Sequence, residues 1–358
     1  MGKQTVADCT EARRLQGVSV AFSRPAPACA GRRFQRDERM SLQAPFPYFG
    51  GKRRVADKVW AALGDPDHYI EPFFGSGAVL LARPNWMPKR TETVCDKNGF
   101  VANAWRAIQF HPDEVARWCD WPVNHADLMA RKAALIREED RLLQRLCEDE
   151  RWYDPIMAGY WIWGASCWIA DGMESPKQRP QVGNKGEGVH KTGLIQNTTN
   201  TTNNDPRAPY KEALWTWFRS LSERLRYVRV VCGDWSRVCG GNWQAKNWKT
   251  CGIFFDPPYS DIAKRNEKIY GKYDSLSVAH DVREWAKKRG ADPRYRIVLA
   301  GYYEEHEDLL KHGWSIYRWS THGGYSNIAR NKNIVNSDEA NRHKETLFMS
   351  PHCLRGEE

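Results

Sequence analysis

Short apolar runs alternate along this chain with segments in which apolar residues recur at helical spacing. Helices are predicted over 52–63, 78–82 and 102–110, and the first of them carries Val55, Val59, Trp60 and Leu63 on one face. Seven apolar runs predict strands over 68–71, 93–96, 228–232, 253–255, 297–300, 314–319 and 346–349. Strands that alternate with helices predict an α/β fold in which helices cover both faces of one sheet.

The segment 111–225 interrupts this alternation. It contains a charged helical stretch with Leu128, Leu135, Leu142 and Leu146 on one face, a tryptophan-rich run and a polar stretch over 172–209. We therefore predict an α/β domain formed by 43–110 and 226–352, interrupted by a mostly helical insert at 111–225 with a flexible loop at 172–209. Core packing of Trp161, Trp163 and Trp168 is favoured over a DNA-facing surface.

Residues 1–42 have no apolar period and are rich in Arg, Ala, Pro and Gly, so we predict a disordered extension. Met40 directly precedes the first organised segment. A natural start at Met40 is favoured, and a basic DNA-binding arm is the alternative.

Composition narrows the choice of partner and compartment. The formal net charge of +10 and the pI near 9.1 favour a polyanionic partner. Ten cysteines without a Cys-x-x-Cys pair argue against structural zinc and for a reducing cytoplasm. The longest apolar run, 155–170, is too short to cross a bilayer, and we expect neither a signal peptide nor a metal site.

The tetrad Asp256, Pro257, Pro258 and Tyr259 follows a predicted strand. Ligands bind beyond the carboxyl ends of strands in open α/β sheets, so the tetrad is expected at an active-site edge. The Asp256 carboxylate and the Pro257 carbonyl are two acceptors that suit an amine, and Tyr259 offers a surface on which a base can stack. A strand-ending Asp-Pro turn is the alternative.

A glycine-containing segment, 71–77, follows the first predicted strand and opens a helix. Glycines there allow the backbone to approach a ligand closely. Asp96 ends the next strand, where an acid can accept hydrogen bonds from ribose hydroxyls. Together, the glycine turn and Asp96 predict a cofactor that contains a nucleoside.

Five segments together, 47–52, 71–77, 96–98, 233–235 and 256–259, resemble the successive motifs of Dam-type (D12 class) DNA adenine methyltransferases in their alpha arrangement. The resemblance implies a Rossmann-like mixed sheet, S-adenosyl-L-methionine as cofactor and an insert that recognises the target. It also implies a cofactor site built from Tyr48, Lys52, Glu71, Phe73, Gly75, Gly77, Asp96, Asp234 and Trp235. Without it, Lys52 is equally plausible as a solvated lysine, and for Asp234 a turn residue is preferred.

The implied reaction is direct methylation of the N6 amine of an adenine flipped out of double-stranded DNA, with Asp256 and Pro257 accepting from the amine and Tyr259 stacking on the base. It needs no metal and no covalent enzyme intermediate. A cytoplasmic enzyme with a possible partner restriction endonuclease is expected.

The insert departs from the GATC-specific members, because their Tyr-Arg-Tyr-Asn type hairpin is absent and 179–190 stands in its place. The chain is more similar here to phage- or prophage-borne relatives. Candidate DNA contacts in this stretch are Arg179, Lys185, His190, Lys191 and Arg207. The histidines His280, His306 and His312 are read as surface or core-edge residues. The alternatives are an enzyme that methylates an amine of cytosine, RNA adenine or protein glutamine, and an inactive DNA-binding relative. Enzymes that act on cytosine typically have a serine in place of Asp256, and those that act on protein usually have an asparagine there.

Overall fold

Seven strands and ten α-helices are found in the described part of the chain. This computed structural model describes residues 42–48, 52–88, 90–149, 151–167, 173, 208–241, 249–258, 277–319 and 345–354. The strands are β1 His68–Glu71, β2 Thr91–Asp96, β3 Val228–Cys232, β4 Cys251–Phe255, β5 Tyr295–Tyr302, β6 Ser315–Arg318 and β7 Glu345–Met349. Each overlaps one of the seven strands predicted from the sequence.

The helices of the α/β part precede β1 or lie between the strands along the chain. They are α1 Ala56–Leu63, α2 Ala78–Leu81, α3 Gly99–Phe110, α8 Ser236–Cys239, α9 Val278–Gly290 and α10 Tyr303–His306. Short 3₁₀ helices at Lys52–Val55 and Glu307–His312 complete this set. The predicted helix over 52–63 is therefore a 3₁₀ turn followed by an α-helix.

Between α3 and β3 the chain forms four helices: α4 Pro112–Cys119, α5 His125–Glu148, α6 Pro155–Cys167 and α7 Ala208–Leu225. Residues 41–358 group as one compact unit, so these helices do not separate from the sheet. A target-recognition insert at 111–225 remains a prediction. The predicted extension 1–42 lies almost wholly outside the described residues, as does most of the loop 172–209.

One mixed sheet orders the strands β3-β2-β1-β4-β5-β7-β6. The first five strands pair in parallel, whereas β7 is antiparallel to both β5 and β6. This order, with one antiparallel strand near the edge, is consistent with a Rossmann-like methyltransferase fold. The predicted mixed α/β class is confirmed.

Apolar layers lie on both faces of the sheet. Consecutive strand residues point to opposite faces, and in β2 Val94 joins an apolar cluster with Trp105 of α3. Its neighbour Cys95 joins a second cluster with Val282 of α9 and Ile297 of β5. The predicted covering of both faces is therefore confirmed.

The helical segment has a buried cation at its centre. The Arg131 guanidinium of α5 lies 4.6, 4.5 and 4.4 Å from the ring centroids of Trp121, Tyr160 and Trp163, and its Nη1 donates to the Trp118 carbonyl at 2.9 Å. Cation–π contacts of this kind compensate in part for the lost hydration of the guanidinium.

The predicted apolar faces of this segment pack inward. Leu128, Leu135, Leu142 and Leu146 of α5 are buried, as are Trp161 and Trp163 of α6. Core packing of these two tryptophans is confirmed, whereas Trp168 lies outside the described residues. Among the histidines, His306 lies deeper than predicted, with 1% exposure, and burial lowers its pKa to about 3.

Helix α7 is tied to the sheet by a buried carboxylate. Glu92 of β2 accepts from Arg224 Nη1 at 2.6 Å and Nη2 at 2.9 Å, and from Arg83 Nη1 at 3.0 Å. All three side chains are buried. The guanidinium groups of Arg224 and Arg83 bind the Glu92 carboxylate, and this fixes the position of the end of α7, from which the chain enters β3.

No helix in the described ranges is both long and apolar enough to span a membrane.

Candidate active site

The strand order reverses between β1 and β4, which pair in parallel with Ile70 opposite Ile253. Their carboxyl ends therefore meet at one edge of the sheet, where a crevice forms in folds of this type. The 71–77 segment leaves β1 here, and Asp256 leaves β4. Parallel strands β2 and β3 bring Asp96 and Asp234 to the same edge.

The glycine turn after β1 is fixed by its main-chain groups. Gly75 N donates to Asp96 Oδ2 at 2.8 Å, and Gly75 O accepts from Trp105 Nε1 at 2.8 Å. Gly75 has a φ of 46°, and a Cβ there would lie 2.5 Å from Cε1 of Tyr48. Both the backbone angle and the close ring therefore require glycine. Gly77, with φ 61°, begins α2.

Asp96 supports this turn with both carboxylate oxygens. Its Oδ1 accepts from Asn98 N at 2.8 Å while Oδ2 accepts from Gly75. The side chain is buried, with 8% of the residue exposed. Each carboxylate oxygen can accept a second hydrogen bond, so this geometry is compatible with the predicted ribose contact, which remains a prediction.

The buried side chain of Glu71 links β1 to α2. Its Oε2 accepts from the Tyr69 hydroxyl at 2.9 Å, and its carboxyl also accepts from the Leu80 main chain. Burial raises the pKa of Glu71 well above its ordinary value, more than these two bonds lower it, and the nearby Asp256 charge adds to the rise. The carboxyl thus positions the first turn of α2.

At the end of β3, Gly233 N donates to the main-chain oxygen of Asp96 at 2.9 Å. The next residue, Asp234, is exposed, and its Oδ1 accepts from Ser236 N at 3.0 Å and Ser236 Oγ at 2.6 Å. This is the arrangement of a turn residue at a helix start. A cofactor contact through Asp234 is still a prediction.

Aromatic side chains lie beside this edge. The rings of Phe73 and Trp235 lie 6.4 and 6.1 Å from that of Phe255, which ends β4. Trp235 also meets Trp285 of α9 edge to face. Two of the three aromatic residues predicted for the cofactor site, Phe73 and Trp235, thus lie in one partly exposed aromatic cluster.

Lys52 lies against Asp256. The Nζ–Oδ1 distance is 2.9 Å, and the side chains are 5% and 21% exposed. The sequence grouped Lys52 with the cofactor site, whereas its ammonium pairs here with the first residue of the tetrad. Pro257 is buried and Pro258 half-buried directly after it.

The pKa values of Asp256 and Lys52 both lie above their ordinary values. Burial raises the pKa of the Asp256 carboxyl, and the Lys52 ammonium offsets part of that rise. Burial alone would lower the pKa of Lys52, but Asp256 and Glu345 outweigh it, so its pKa lies above the ordinary value.

Two neighbours of this pair were missed by the sequence. Glu345 and Tyr302 face each other across β7 and β5, and both act electrostatically on Lys52. Burial, with Glu345, raises the pKa of Tyr302 to about 12. Both lie far from Lys52 along the chain, and no motif marks them, so only the strand register brings them together.

Several predicted site residues lie outside the described residues: Tyr259, Arg179, Lys185, His190, Lys191 and Arg207. Their roles stay predictions. In the described ranges, no three His, Cys, Asp or Glu side chains are grouped so as to hold a metal ion.

Replacing Gly75 with Ala is expected to destabilise the protein and to displace Tyr48. The left-handed backbone costs a residue with a Cβ about 1–3 kcal/mol, and the contact with the ring adds to this. Urea unfolding measures the loss.

Gly313→Ala is the matched control, because Gly313 has a φ of 78° but its Cβ would meet Pro351 only at 3.6 Å. Combining Gly75→Ala with Tyr48→Ala should remove the steric part. Equal losses for Gly75→Ala and Gly313→Ala would contradict the close approach of Tyr48.

Residues 48–126 match the family model of the D12 class N6 adenine-specific DNA methyltransferase. The matched segment contains Tyr48, Lys52, the 71–77 turn and Asp96, and it ends before β3 and β4. No curated protein matches the sequence. The family match thus supports the predicted D12 class over the first three of the five motifs.

Proposed function

We propose that this protein is a site-specific DNA methyltransferase that transfers a methyl group from S-adenosyl-L-methionine to the N6 amine of adenine. The observation that carries the proposal is the position of Asp256: it follows β4, pairs with Lys52 and lies at the sheet edge where β1 delivers the glycine turn. The family match over 48–126 supports the same reaction from an independent part of the chain.

The cofactor side of the proposed site consists of the ends of β1, β2 and β3. The Asp96 carboxylate is held in place by two backbone donors at the ends of β1 and β2, and a carboxylate so placed suits ribose hydroxyls. The Gly75 turn lets the Tyr48 ring lie against the end of β1, and Phe73 and Trp235 offer apolar ring surface. S-adenosyl-L-methionine supplies a methyl group activated by its sulfonium. These residues would hold and orient it.

The acceptor side is Asp256 with the Pro257 carbonyl. An ionised Asp256 would accept a hydrogen bond from the target amine and stabilise the positive charge that develops on nitrogen during transfer. Its raised pKa also makes it a stronger proton acceptor than an ordinary aspartate. Lys52 favours the ionised form of this half-buried carboxyl, and Tyr259 would stack on the flipped base.

The helices of 111–225, together with the loop 172–209, would select the DNA sequence. Cofactor and flipped-base contacts are common to every site, so discrimination must come from side chains that reach neighbouring base edges. The net charge of +10 suits double-stranded DNA as the partner.

Asp256→Asn is expected to lower methyl transfer about 100-fold or more, because the neutral amide loses the charge that stabilises the developing cation. The measurement is transfer of labelled methyl to DNA from a methylation-free host, followed by modified-base sequencing. Cofactor binding, measured by calorimetry, should persist in Asp256→Asn and weaken by about 1–3 kcal/mol in Asp96→Asn.

Asp57→Asn, an exposed position on α1, is the matched control and should leave transfer unchanged. A residual rate within about tenfold of wild type in Asp256→Asn would remove Asp256 from the acceptor role. Methyl groups found on cytosine instead of adenine would contradict the proposed target.

Lys52→Met is expected to move the acid limb of the pH–rate profile to higher pH. A neighbouring opposite charge shifts a carboxyl pKa by about 1–3 units, and Lys52 lowers that of Asp256. The rate of wild type should fall as the pH drops through the raised pKa of Asp256, and the variant should lose activity earlier during acidification. The rates are measured at saturating concentrations of cofactor and DNA, so that they report the methyl-transfer step rather than binding.

Lys58→Met, exposed on α1, serves as the control and should keep the wild-type profile. A Lys52→Met profile with an unshifted acid limb and only a weaker cofactor affinity would place Lys52 in the cofactor site alone.

A further inference from the structure

Two cysteines lie beside the same arginine, where the last turn of α5 approaches the end of β3. Cys147 lies in the last turn of α5, and Cys232 is the last residue of β3. Burial raises the pKa of the Cys232 thiol, and the Cys147 thiol lies near enough to act on its ionisation and add to that rise. Cys232 is buried, with 8% exposed, whereas Cys147 is exposed to solvent.

A guanidinium joins the two residues. Arg237 Nη1 of α8 donates to the Cys232 carbonyl at 2.8 Å and lies 3.8 Å from Cys147 Sγ. Cys147 is exposed, so a dissolved peroxide can reach its thiol without any opening of the fold. The solvent-facing thiol is therefore the one placed to react first.

Other cysteines nearby are not placed to compete. Cys95 is paired with Val231 in the β2–β3 register, so its side chain points to the sheet face opposite to that of Cys232. Cys239 and Cys251 are buried on that opposite face with Cys95. Of the cysteines in the described ranges, Cys147 alone is exposed, and Cys353 is intermediate.

We propose that Cys147 and Cys232 form a peroxide-reactive thiol pair that closes into a disulfide between α5 and β3. The Cys147 sulfur attacks one oxygen of hydrogen peroxide; the O–O bond breaks, a sulfenic acid forms, and the departing hydroxide takes up the thiol proton and leaves as water. The Cys232 sulfur then displaces the sulfenic hydroxyl, so the S–O bond breaks, the S–S bond forms and a second water is released. Two thiols are oxidised and one peroxide is reduced.

The second step is expected to be the slower one. Burial raises the pKa of the Cys232 thiol to about 12, so little of it is ionised at neutral pH. Sulfenic acid at Cys147 should therefore be trapped by dimedone early in the reaction, before the disulfide accumulates.

The full-length protein treated with hydrogen peroxide tests the pair by non-reducing peptide mapping. We expect a cross-linked peptide that joins Cys147 to Cys232 and disappears with dithiothreitol. Because the bond links segments distant in sequence, the oxidised protein should melt several degrees higher than the reduced protein. Cys147→Ser should abolish both effects, and Cys232→Ser should leave a dimedone adduct at Cys147 without the cross-link.

Cys353→Ser is the matched control, since Cys353 lies elsewhere, at the Ser350 turn, and it should behave as wild type. A Cys147 that resists peroxide, or that pairs with Cys9 or Cys29 instead of Cys232, would overturn the proposal. So would a cross-link that lowers the melting temperature, since the native contact would then be unable to accommodate the bond.

Discussion

The parallel pairing of β1 with β4 is the constraint on which the candidate site depends. Its register, with Ile70 opposite Ile253, brings the carboxyl ends of two strands together although they are far apart in sequence. The strand order reverses at this pair, and such a reversal is where ligands bind in open α/β sheets. A shift of one residue would turn every side chain of β4 to the opposite face and carry Asp256 away from Lys52.

At the carboxyl ends of these strands, the same polar groups support the structure and are proposed to take part in the chemistry. Asp96 holds the Gly75 turn and is the residue proposed to bind the ribose, and Lys52 pairs with the half-buried Asp256 and lowers its pKa. A buried carboxylate without a partner would favour the neutral acid. The charge of Lys52 therefore stabilises the ionised form of Asp256, which is the form that the proposed reaction needs.

The strands were predictable because each is an apolar run bounded by polar or glycine-rich residues, as at 228–232 and 253–255. The leucine face of α5 and the burial of Trp161 and Trp163 followed from spacing and ring chemistry in the same way. Contacts set by strand register were not predictable. Neither Glu345 beside Tyr302 nor Lys52 against Asp256 leaves a local sequence pattern, and the depth of His306 depends on packing around β5 and β7.

The central claim is that the ends of β1, β2 and β4 form one site for cofactor and methyl acceptor. A crystal structure with S-adenosylhomocysteine tests it most directly. The account predicts the ligand's ribose at Asp96, its chain along the Gly75 turn and its sulfur directed toward Asp256. A ligand bound elsewhere, such as in the groove lined by Asp57, Trp60 and Asn85 beside α1, or one whose sulfur points away from Asp256, would contradict it.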